Sequence, residues 1–102
     1  MANRESVDAK RFEGWDAGEA YGPGAFMIQG DGEEKDFLFI LPGEDFWRSI
    51  RIKTGPKVDN AWQWDGNLET PTLHPSILAW DRADHKVEHW HGWLQNGRFN
   101  SV

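Results

Sequence analysis

The stretch VEHWHGWLQNGRFNSV, Val87 to Val102, decides the fold. Alternation along its first part puts Val87, His89, His91 and Trp93 on one face of a strand. Asn96-Gly97 then supplies the two positive-φ positions of a tight hairpin, so RFNSV returns as a second strand. On this reading the chain ends on an outer strand.

Working outward, DRADHK is a turn and SILAW the strand before it. Pro71 and Pro75 disfavour helix at Thr70 and His74, which makes ETPTLHPS an extended connector. The segment AWQWDGN places Trp62 and Trp64 on one side of a short strand that closes in an Asp-Gly-Asn turn. In FWRSIRIK, alternation groups Phe46, Arg48, Ile50 and Ile52 against Trp47, Ser49, Arg51 and Lys53. Further back, AFMIQ and FLFIL flank the polar turn GDGEEKD as a hairpin, and the apolar run of the second arm predicts cover on both faces. No stretch sustains a helical apolar pattern. The fold class is therefore mainly β: one small antiparallel sheet or sandwich of about five to seven strands with little helix. Residues 1–24 form an irregular acidic arm in which a turn or two of helix is permitted, and residues 25–102 form one folding unit.

Composition narrows the function. The 102 residues include seven tryptophans and no cysteine, so disulfides, thiolate zinc sites and thiol catalysis are excluded. A cytoplasmic setting is the default expectation, because neither a signal-peptide run nor a membrane-spanning apolar stretch is present. The net charge of −6 disfavours nucleic acid as a partner, although Phe46 to Lys57 carries Arg48, Arg51, Lys53 and Lys57 with no acid.

The order WQWDGNLETPTLHPSIL, then HGWLQNGRF, resembles a family of small uncharacterised proteins found largely in phages and prophages, some of them called ammonia monooxygenase. Trp62, Trp64, Gly66, Pro71, Thr72, Pro75, Ser76, His91 and Gly97 carry the resemblance. It implies a small β fold and a phage origin. Many relatives carry cysteines that look like zinc ligands. Here FILPGEDFW has none and Trp90 stands before His91, so no metal role carries over.

Three groups of residues compete as sites. His89 and His91 form an H-x-H pair that could share a metal if His85 or His74 supplied a third ligand. The preferred reading is instead a hydrogen-bonded aromatic face with no metal and no cofactor. Trp47, Arg48, Arg51, Trp62, Trp64 and Trp93 combine aromatic anchors with guanidinium donors, the composition of a binding face. Thr72 and Ser76 have no base beside them in sequence, so Ser76 reads as a hydrogen bonder at a turn or strand edge. Together these features favour a non-enzymatic, phage-encoded protein that binds and modulates or inhibits a host protein, a defence component being one such target. The alternatives are a small-molecule or nucleotide binder that stacks its ligand on tryptophans, and a histidine-site metalloprotein or hydrolase.

Overall fold

The computed structural model describes residues 2–102. The chain forms β1 (Val7–Asp8), β2 (Lys10–Arg11), α1 (Trp15–Tyr21), β3 (Ala25–Gln29), β4 (Glu34–Phe39), β5 (Arg48–Thr54), β6 (Trp62–Trp64), β7 (Leu73–His74), β8 (Ile77–Trp80), β9 (Glu88–Gln95) and β10 (Arg98–Ser101). They build a four-stranded sheet in the order β1-β10-β9-β8 and a six-stranded sheet in the order β2-β3-β4-β5-β6-β7. The mainly β expectation holds. Pairing is not antiparallel throughout, because β2–β3 and β5–β6 run parallel.

The hairpin read from the sequence closes β9 onto β10, with positive φ at Asn96 (46°) and Gly97 (75°). Its outer position does not hold. β10 lies between β9 and β1, because Val7 and Asp8 pair with Phe99 and Arg98 and take up the backbone groups that an edge would expose. Residues 2–24 thus contribute β1, β2 and α1. Gly18 of α1 lies against the ring of Trp47 and the Ala25 methyl, which seats the helix beside β3.

The core forms between the sheets. Phe26, Phe37, Phe39, Ile52, Trp64 and Leu73 enter it from the larger sheet, and Ile77, Ala79, Trp90, Leu94 and Phe99 from the smaller. Aromatic contacts bridge the two layers, with Phe39 stacked on Phe99 at 5.9 Å between centroids and Phe37 at 6.5 Å from it; within the smaller sheet Trp90 meets Phe99 edge-on at 6.1 Å. The Trp90 indole N–H donates to the Glu5 carbonyl at 2.9 Å, so this ring is fully buried without an unpaired donor. Phe37 to Leu41 are all buried, as their unbroken apolar run predicts. No helix among the described residues is long and apolar enough to cross a membrane.

The turn of the hairpin tolerates little change at Gly97. A Cβ there would sit 2.9 Å from the Thr70 Cα, in a backbone conformation that L side chains rarely adopt. Gly97→Val is expected to destabilise the fold by about 2 kcal/mol or more, seen as a lower urea midpoint. An unchanged midpoint would show that this turn does not limit stability.

Candidate functional site

Strand pairing creates the site. β8 runs antiparallel to β9 with Ile77 opposite Gly92 and Leu78 opposite His91. Along β8, Ile77 and Ala79 face the core while Leu78 and Trp80 face outward; on β9, Trp90, Gly92 and Leu94 face inward and His91 and Trp93 outward. Ser76 immediately precedes β8 and shares the outward side of Leu78. That position is diagonal to His91, within side-chain reach across the pair. The His91 Nε2 lies 3.1 Å from the Ser76 Oγ.

Neighbouring aromatics fix both partners. The His91 ring stacks on Trp93 at 6.1 Å with 30° between planes. The Trp62 indole N–H donates to the Ser76 carbonyl at 3.3 Å, which ties the main chain at the serine to β6. Both side chains of the pair are half-buried, so a reagent can still reach them. Among the described residues no carboxylate lies within ion-pair distance of His91. Beside His91 a groove of about 240 Å³ runs between Asn3, Arg4, Glu88, Ser101 and Val102.

His89, two residues away, has a different environment. Its Nε2 contacts the Pro42 carbonyl at 2.8 Å and lies 3.6 Å from the Glu44 carboxylate. Glu44 is buried and accepts two hydrogen bonds from Arg48, at 2.7 and 2.6 Å. Arg48 also donates to the Trp80 carbonyl at 2.7 Å. The network locks the Pro42–Asp45 loop to β5, β8 and β9. Its geometry explains how an arginine on the inward side of β5 is accommodated: Glu44 neutralises it.

The structure therefore divides the residues singled out from sequence. Trp62, Trp93 and His91 gather around Ser76. Trp64 belongs to the core, with its indole N–H on the Asn67 carbonyl at 3.1 Å. Trp47 packs edge-on against Trp15 at 5.7 Å, with a buried Nε1 that has no hydrogen-bond partner. Arg51 is exposed, 3.9 Å from Asp36. His74 is exposed on β7 and His85 in the turn after β8. His89 and His91 do not converge on a common ligand position, and no group of three His, Cys, Asp or Glu side chains able to hold a metal occurs among the described residues. Sequence reading set Ser76 aside as a hydrogen bonder at a turn or strand edge, because the histidine it contacts lies on another strand and only the β8–β9 register joins them.

Residues 13–102 match the sequence model of the BubE family, described as a bacterial ubiquitination-like system serine protease. No curated protein and no solved structure matches the chain. The family match overturns the expectation of a non-enzymatic, phage-encoded protein that modulates a host target, since the family is described by a proteolytic activity in a bacterial system. Aromatic excess and missing local motifs had favoured binding. A serine and histidine brought together by tertiary pairing leave no local motif to find.

The buried ion pair and the exposed one respond differently to truncation. Glu44→Ala leaves the Arg48 guanidinium largely buried with only a carbonyl partner, and is expected to cost about 2–3 kcal/mol in chemical denaturation. Arg51→Ala removes a solvated contact and is expected to cost less than about 0.5 kcal/mol. Equal losses from the two variants would contradict the structural role given to Glu44.

Proposed function

The chain belongs to the BubE family, and from that premise we propose that it is a serine peptidase of a bacterial ubiquitination-like system, with Ser76 as nucleophile and His91 as general base. The observation that carries this reading is the 3.1 Å contact between Ser76 Oγ and His91 Nε2. That is hydrogen-bond reach for proton transfer, and Nε2 is the ring nitrogen that plays this part in serine hydrolysis generally.

The steps follow from the pair. With the ring proton on Nδ1, His91 Nε2 accepts the hydroxyl hydrogen bond and takes the proton as Ser76 Oγ bonds to the acyl carbon of the substrate. His91 then gives that proton to the departing amine as the carbon–nitrogen bond breaks, leaving an acyl ester on Ser76. Water attacks the ester, His91 takes its proton, and return of the proton to Oγ releases the acid product. Stacking on Trp93 and the strand register orient the imidazole here, the task a buried carboxylate performs in a three-residue site.

Ser76→Ala and His91→Gln are each expected to lower kcat on a peptide or activated ester substrate by about 10³-fold or more while leaving the circular dichroism spectrum intact. Because the two groups act as one unit, the double variant is expected to be hardly slower than either single one. Full activity in Ser76→Ala would refute the assignment.

A further inference from the structure

Beyond Ser76, the outward face and free edge of β8 continue into a second feature that the hydrolytic steps do not use. Leu78 and Trp80 lie on the serine's side of the strand, 42% and 44% exposed, two large apolar side chains on the same strand face. A groove of about 360 Å³ opens beside them, bounded by Arg48, Arg82 and His85. At about 3.3 Å per residue, Leu78 stands two positions from the nucleophile and Trp80 four.

The main chain of β8 is also poised toward this side. The carbonyls of Ser76 and Trp80 point away from β9, to the Trp62 indole and to Arg48. Leu78 shares their parity. Its partner His91 turns its carbonyl away from β8 to accept the Val102 N–H at 3.0 Å, so the Leu78–His91 pair is of the kind that exchanges no ladder bonds. The Leu78 N–H and C=O therefore point to the free edge of the sheet, where β8 is the terminal strand. An outward-directed donor and acceptor on an edge strand is the arrangement that an extended peptide completes.

Charge completes the argument. Arg48 is neutralised by Glu44, whereas Arg82 has no carboxylate within ion-pair distance among the described residues and lies over the Phe46 ring at 4.5 Å. Asp81 does not offset it by moving freely, because its carboxylate accepts the Ala83 and Asp84 amides at 2.8 and 2.9 Å. Those bonds, Asp84's first, hold its carboxyl below the ordinary range and fix the turn that carries Arg82.

We propose that this groove is the specificity site of the peptidase, taking an extended peptide whose apolar side chain rests on Leu78 and Trp80 and whose neighbouring acidic side chain meets Arg82. The inference rests on the Ser76–His91 reading. It names the substrate class of that site as apolar-then-acidic peptide segments.

The experiment uses quenched fluorescent peptides that share one apolar residue and differ only in carrying Asp or Lys at the positions beside it, with 4-nitrophenyl acetate as a separate probe of the nucleophile. The parent chain is expected to show kcat/KM at least about fivefold higher for the Asp peptide than for the Lys peptide, and Arg82→Glu to invert that order. Lys86→Glu, the same charge change outside the groove, is expected to keep the parent ratio. Trp80→Ala is expected to lower kcat/KM for both peptides by about tenfold. If ester hydrolysis depends on Ser76 but Arg82→Glu leaves the Asp/Lys ratio unaltered, the groove assignment is overturned and the catalytic pair stands. If ester hydrolysis is unchanged in Ser76→Ala, the catalytic reading fails and the specificity proposal falls with it.

Discussion

Antiparallel pairing of β8 with β9 is the constraint on which the rest depends. With Leu78 opposite His91, Ser76 and His91 meet on the outer face while Ile77, Ala79, Trp90 and Leu94 enter the core on the other. A slip of one residue would reverse every side chain on the strand. It would expose Trp90 and Leu94 and draw the imidazole away from the serine at the same time. The buried aromatic cluster that joins the sheets thus holds the register of the Ser76–His91 pair as well as the fold.

Support for that register comes from both ends of the chain. β1 closes the far edge of β10, Trp90 reaches the Glu5 carbonyl, and the Asn3 amide donates to the His89 carbonyl at 2.6 Å. On the opposite side, the Glu44–Arg48 pair and its bond to the Trp80 carbonyl anchor the end of β8 to the larger sheet. Gly92 has a local role. A Cβ there would collide with the Asn100 carbonyl and the Trp90 ring, so a residue without a side chain lets that indole lie flat beneath the histidine strand.

How much of this was legible in the sequence depends on range. Asn96-Gly97 and the apolar run Phe37 to Leu41 are local signals, and the turn and the burial they imply appear in the structure. The alternation of β9 holds from Trp90 to Gln95 but breaks at a register shift opposite Ala79 and Trp80, which leaves His89 on Pro42 and Glu44 rather than beside His91. The two-residue strands β1, β2 and β7 carry no period that could announce them, and their positions are set by edges needing partners. Alternation placed Arg48 with Ile50 and Ile52, as the structure has it, but gave no sign of its partner Glu44, which belongs to a loop. The same limit governed the site: His91 and the nearby tryptophans drew notice by composition, whereas the contact between Ser76 and His91 exists only once the strands are paired. The expectation of a binding protein followed from that limit, since a serine with no base beside it in sequence gave no local sign of an enzyme.

The catalytic pairing can be read out covalently. After incubation of the full chain with a fluorophosphonate, proteolytic digestion and mass spectrometry are expected to place one phosphonyl group on Ser76, with the labelling rate falling about 10³-fold in His91→Gln. Label on another hydroxyl, or labelling of Ser76 at an unchanged rate without His91, would contradict the account.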